Sequence, residues 1–285
     1  MQILLTLTPS DCLYPTYITV TPFYAGNLKR AHKEGVTMNM TLRTAAQKAL
    51  EIVHGVQIMH NIEGGPYMHT DLQPRQFMID REGNVLINDF NRGKFTEYYF
   101  KNEVEGAAVT TKKEEAEEEG SDVIIPCTYC MPGSHGHYRA PEEYYSDPLS
   151  EKLDIWSVCL TIWSLFSGEK PWSSFGRNYE AVKYVTRDYQ MRPKLPYNMP
   201  AFLKDLMREC WRPDMWQRPD INELMRKMRY FYKHLHRLSD GREHLTLREL
   251  HRTKAFRETN FPDLDKIREF VDREETEKKK KKREL

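Results

Sequence analysis

The sequence predicts an α+β fold that is mostly α-helical. Three observations carry that reading. Apolar residues recur at helical spacing over 41–60, and helical segments follow over 153–167, 176–187, 200–210 and 220–236. The strand-like runs are short and fall within the first ninety residues. Two of them are joined by a turn signal, Asp80-Arg81-Glu82-Gly83-Asn84. At 285 residues the chain is long enough for one large domain or two small ones, with a sizeable core.

Taken in order, residues 2–8 and 17–21 are apolar and Thr-rich, and Pro9, Ser10, Asp11 and Pro22 bound them. They read as two strands. Pro22, Phe23, Tyr24, Ala25, Gly26, Asn27 and Leu28 form a short connector that opens a helix. In the next segment Leu42, Ala45, Ala46, Ala49, Ile52, Val53, Val56 and Met59 share one helix face. Gly64, Gly65 and Pro66 end it. Phe77 to Ile87 then reads as a hairpin. Two acids, Asp71 and Asp89, stand eighteen residues apart at its two ends, so the hairpin can aim both at one place.

Glu103 to Asp122 carries Lys112, Lys113 and five Glu within 114–119, the pattern of a solvated loop. Leu153 to Phe166 is the most apolar stretch. Asp154 interrupts it, and it is shorter than the ~18 residues a membrane span needs, so it is expected to be a buried helix and no span is expected. Pro171, Pro193, Pro196, Pro200, Pro213 and Pro219 punctuate the helices that follow. Residues 237–274 read as charged helices and 275–285 as a disordered basic tail.

Composition narrows the function classes. Apolar residues at 39% and charged residues at 30% fit a soluble globular chain. A net charge of +1 gives no overall field to attract nucleic acid or membrane, so neither is an expected partner. The five cysteines are odd in number and unevenly spaced, which is no disulfide framework and leans towards a reducing compartment. The N-terminus has no basic leader, and Lys278 to Arg283 is a basic run. The expected location is cytoplasmic or nuclear. Cys127, Cys130, His135 and His137 lie within eleven residues. They could ligate zinc, form a redox pair or be ordinary loop residues.

One ordered set of motifs resembles the protein kinase family. His69-Thr70-Asp71 stands for H-R-D and Asp89-Phe90-Asn91 for D-F-G. Ala140-Pro141-Glu142 stands for A-P-E, and Asp154-Ile155-Trp156-Ser157 for D-x-W-S. Cys210-Trp211 followed by Arg218-Pro219 resembles the domain end of the tyrosine-kinase-like branch. The likeness spans about 1–236. It implies an N-lobe remnant at 1–26, a C-lobe at 27–236 with an acidic insert at about 101–122, and a charged helical extension at 237–274.

The resemblance also implies roles. Asp71 would accept the substrate hydroxyl proton, with Gln73 beside it. Asp89 and Gln76 would hold Mg²⁺. Phe23, Tyr24 and Gln76 would contact ATP. His69, Phe90, Glu142, Asp154 and Arg218 would be structural, Glu142 pairing with Arg218 and Asp154 holding the catalytic-loop backbone. The implied activity is ATP- and Mg²⁺-dependent phosphoryl transfer to protein hydroxyls, on a substrate not specified by the sequence. Several departures weaken it. Gln73 replaces the catalytic-loop Lys and brings no charge, Gln76 replaces the metal-binding Asn, Asn91 replaces the D-F-G Gly, and Thr70 replaces the H-R-D Arg. No G-x-G-x-x-G precedes Tyr17. The alternative is a pseudokinase, a binding or scaffold module. A small-molecule phosphotransferase is a third reading.

Overall fold

The 41–60 periodicity becomes a helix, Leu42–His60 (α2), in the computed structural model. The structure describes residues 26–96, 136–144, 149–197 and 199–252, with the backbone of the strands Ile3–Leu7, Thr16–Val20, Tyr98–Phe100 and Ile124–Pro126. Phe23, Tyr24, Cys127, Cys130, His135, the acidic insert and the basic tail lie outside the described residues. The architecture is α+β and mostly helical, with short antiparallel strand pairs.

The chain order begins with β1 (Ile3–Leu7) paired antiparallel to β2 (Thr16–Val20), Leu5 opposite Ile18. A two-residue strand, β3 (Gly26–Asn27), leads into α1 (Leu28–Lys33). Asn27 caps that helix, its side chain accepting from the Arg30 amide at 2.9 Å. Thr41 caps α2 in the same way, accepting from the Thr44 amide at 3.1 Å. Every apolar residue assigned to the inner face of α2 is buried.

The hairpin is β5 (Phe77–Ile79) and β6 (Val85–Ile87), with Phe77 opposite Ile87. Its turn is closed by Asp80, which accepts from the Asn84 amide and side chain at 2.7 and 2.9 Å. β3 adds to the free edge of β5. Before the hairpin, β4 (Tyr67–Met68) pairs with β7 (Lys94–Phe95), which follows it. That pairing closes the chain into a loop whose two ends carry Asp71 and Asp89. β8 (Tyr98–Phe100) and β9 (Ile124–Pro126) pair with each other.

The helical part is built on α3 (Lys152–Ser167), in which every residue from Leu153 to Ser167 is buried. A helix buried on all sides stands at the centre of a domain. Around it stand α2, α5 (Ala201–Cys210) and α6 (Ile221–Lys233), sharing one hydrophobic core. Gly168 ends α3 at φ 72°, the left-handed conformation that suits glycine at a helix C-terminus. The 176–187 segment splits into α4 (Tyr179–Lys183) and a π-turn, Tyr184–Asp188. The short α7 (Leu235–Leu238) follows α6.

The uneven cysteines form no framework, but one pair meets: Cys159 on α3 and Cys210 at the end of α5 are disulfide-bonded across the core, their Cα atoms 6.3 Å apart. A separation of 51 residues leaves no local trace of such a pairing. The charged helix expected from 237 is interrupted. Asp240 and Gly241 take positive φ, and the chain turns back onto α2. Leu42 and Arg43 donate to the carbonyls of Leu245 and Glu243 at 2.8 and 2.9 Å. α8 (Leu247–His251) then buries Leu247 and Leu250 in the main core.

Candidate active site

The loop between β4 and β5 is fixed from beneath by Asp154, on the first turn of α3 and fully buried. Its carboxylate accepts from the backbone amides of His69 at 2.7 Å and Thr70 at 3.0 Å, and from His60 Nε2 at 3.1 Å. This holds Thr70 at φ 62°, unusual for a β-branched residue. Strain of that kind costs about 1–3 kcal/mol and persists where surrounding bonds impose it. Here the Thr70 carbonyl is gripped from the other side by Arg139, and its hydroxyl donates to the Arg92 carbonyl at 2.9 Å.

His69 is wholly buried. Its Nδ1 accepts from the Asp71 amide at 3.3 Å and its Nε2 donates to the Asn88 carbonyl at 3.0 Å. The imidazole thereby ties the loop carrying Asp71 to the loop carrying Asp89. The Phe90 ring sits 5.5 Å from it, centre to centre.

Asp71 is buried and accepts from four side chains. Gln73 Nε2 and Arg139 Nη2 reach Oδ1 at 2.8 and 2.7 Å. Arg75 Nη2 and Gln76 Nε2 reach Oδ2 at 2.8 and 2.7 Å. Burial pushes this carboxyl up. The Arg75 hydrogen bond, the Arg139 charge and the Gln76 hydrogen bond outweigh it and hold the group below the usual carboxylate value.

Asp89 takes the left-handed conformation, φ 70° and ψ 64°. Its Oδ2 accepts from Gln76 Nε2 at 2.9 Å and its Oδ1 from Asn91 Nδ2 at 2.6 Å. One amide group, that of Gln76, therefore bridges the two acids. The pair expected from the hairpin meets there.

Glu142 and Arg218 form a bidentate pair, Nη1–Oε1 2.6 Å and Nη2–Oε2 2.8 Å. The guanidinium also lies over Trp156, 5.0 Å from the ring centre. This pair lies between the end of the 136–144 segment and the start of α6, away from Asp71. His137 is buried, donating from Nδ1 to the Pro171 carbonyl at 2.8 Å, with its ring 5.5 Å from Tyr179.

Arg75 and Arg139 were not singled out from the sequence. Their positions, one residue before Gln76 and one before Ala140-Pro141-Glu142, offered a signal. What the sequence could not show is that both turn onto Asp71. Arg139 is buried and also reaches Glu143 Oε1 at 3.2 Å.

Asp89 and Gln76 carry donor types that a hard divalent cation takes, and no group of three or more His, Cys, Asp or Glu is placed for a metal among the described residues. Asp89 and Gln76 supply only oxygen and amide groups, and two carboxylates converge on one amide. Asp89 and Gln76 would hold Mg²⁺, which supplies charge neutralisation for phosphate oxygens when bound.

The family model described as the protein kinase domain matches residues 14–231. Among curated relatives, serine/threonine-protein kinase 12 of Arabidopsis thaliana is 26% identical over 67% of this chain and 36% of its own length. Serine/threonine-protein kinase VIK, also of Arabidopsis thaliana, is 25% identical over 66% of this chain and 38% of its own. Dual specificity protein kinase shkB of Dictyostelium discoideum is 24% identical over 68% and 26%. The chain thus spans well under half the length of these relatives. With the family model covering most of the chain and the two motif acids meeting across the β5–β6 hairpin, the chain belongs to the protein kinase family.

Proposed function

We propose that the protein transfers phosphate from ATP to hydroxyl groups of proteins. The observation that supports this best is the convergence of Asp71 and Asp89 on one amide, Gln76. Phosphoryl transfer asks mainly for positioning and charge neutralisation. Asp71 accepts and orients the incoming hydroxyl through Oδ1 or Oδ2 once one of its present donors yields. Its depressed basicity suits orientation better than early proton removal. Gln73 lies on the same carboxylate and offers an uncharged donor to the acceptor side. Asp154 and His69 keep the loop in register. The serine/threonine and dual-specificity names of the relatives make an alcohol side chain the first substrate to try.

A second reading, a binding module without transfer, is favoured by one observation. Both Asp71 oxygens are already occupied, two of the four donors being guanidinium groups. A single assay separates the two. Purified full chain is incubated with Mg·ATP labelled on the γ-phosphate and a mixture of protein acceptors. Transfer that falls about 10²–10⁴-fold in Asp71→Ala supports the first reading. Transfer that survives that change, or none by the wild type, overturns it.

A further inference from the structure

The cleft in front of Asp71 is cationic, although the whole chain has a net charge of only +1. It encloses about 570 Å³, within the range of pockets that bury a ligand or a short peptide segment. Lys29 and Lys33 on α1, Lys170 after α3, Arg75, Arg92 and Arg139 all line it. Among the described lining residues the one acid is Asp71, which Arg75 and Arg139 already neutralise.

Among the described residues no acid holds the lysines. Glu34, on the same helix as Lys29 and Lys33, is bonded to Arg30 at 2.7 Å, and neither it nor Glu169 lines the cleft. Lys29, Lys33 and Lys170 have no carboxylate partner among the described residues and are exposed. Their charges act on one another. Partial burial first, then Lys29 and Arg177, lower the proton affinity of Lys170, and Lys170 in turn adds to the burial that lowers that of His137. Unpaired like charges facing one cavity weaken the fold slightly unless a ligand supplies the opposite sign. Arg139 is fixed in the wall, while the lysines are long and free to close on an anion.

We infer that this cleft binds an anionic peptide segment, whose carboxylate or phosphate side chains lie beside Lys29, Lys33 and Lys170 while a neighbouring hydroxyl reaches Asp71. Calling that segment a substrate rests on the phosphotransfer reading; the binding itself does not. Lys29 and Lys170 are near enough for their charges to act on each other, so one anionic residue beside the acceptor can meet both.

The test is equilibrium binding without nucleotide. Fluorescence anisotropy of the full chain is measured with labelled peptides of equal length, one serine at the centre of each, flanked by Glu, by Gln or by Lys. The Glu peptide is expected to bind about tenfold tighter than the Gln peptide at low salt, the preference shrinking as salt rises. In Lys29→Glu/Lys170→Glu, both exposed sites, that preference is lost while the melting temperature stays unchanged. A phosphoserine flank binding tighter than Glu identifies phosphate as the preferred anion, and the reverse identifies carboxylate. Equal binding of the Glu and Gln peptides, or a preference that survives charge reversal, overturns the inference. So does a single-stranded RNA that binds tighter than any anionic peptide and is lost with the same substitutions. Because no ATP is present, a failure of phosphotransfer leaves this result standing, and the converse also holds.

Discussion

The four donors on Asp71 differ in what they cost to remove. Arg75 is half exposed, so its pairing is screened by water and contributes at most about 1 kcal/mol. Arg75→Ala is expected to leave urea unfolding within that margin. It should also raise the Asp71 pKa towards the ordinary value, read by NMR titration of the carboxyl, since Arg75 contributes both a hydrogen bond and a charge. Arg139 is buried and joins Asp71, Glu143 and the Thr70 carbonyl. Arg139→Ala strands Glu143 in the core and is expected to cost about 3–5 kcal/mol in the same unfolding experiment. Glu143 itself gives a pH signature. Burial chiefly, against the opposing Arg139 charge, raises its carboxyl from 4.5 to about 7. An acid whose folded pKa is raised contributes stability that is complete below pH 4.5 and is lost as pH rises through about 7. Glu143→Gln should flatten the fall of stability across that window, measured as unfolding free energy against pH. An unchanged slope would show that other groups set it.

At the scale of elements, α3 carries the site. Its first turn presents Asp154 to the backbone of His69 and Thr70, and its last residue meets Gly168. At φ 72° a side chain is strained, and a Cβ on Gly168 would collide with the Met38 sulfur. Gly168→Ala is therefore expected to lower stability by about 2 kcal/mol or more, checked by urea unfolding. The Glu142–Arg218 pair fastens the 136–144 segment to the start of α6 and to Trp156 of α3. Arg218→Ala leaves Glu142 buried and uncompensated, for an expected loss of about 3–5 kcal/mol. Its effect on peptide binding is expected to follow from unfolding alone, because neither residue lines the cleft.

On the scale of the molecule, most of the frame was legible because it is written in local patterns. The period of α2, the Asp80–Asn84 turn and the ordered motifs each occupy a few neighbouring residues. Their joint geometry, two acids across one hairpin, followed from the turn. Long-range features were illegible for an equally physical reason. The Cys159–Cys210 bond, the turn of Arg139 onto Asp71 and the return of residues 239–246 to α2 depend on packing between segments far apart in the chain. The cationic cleft is similar: its lysines and arginines are scattered over 29–170, and the net charge conceals them. The central claim is that Asp71 and Asp89 form one phosphoryl-transfer centre. Phosphate transfer by full chains carrying Asp71→Asn, Asp89→Asn and both substitutions tests it most directly. Groups acting as a unit are strongly non-additive, so each single change should remove most of the activity and the double change should be no worse than the more severe single. Losses that multiply in the double variant, or a single variant with full activity, would contradict it.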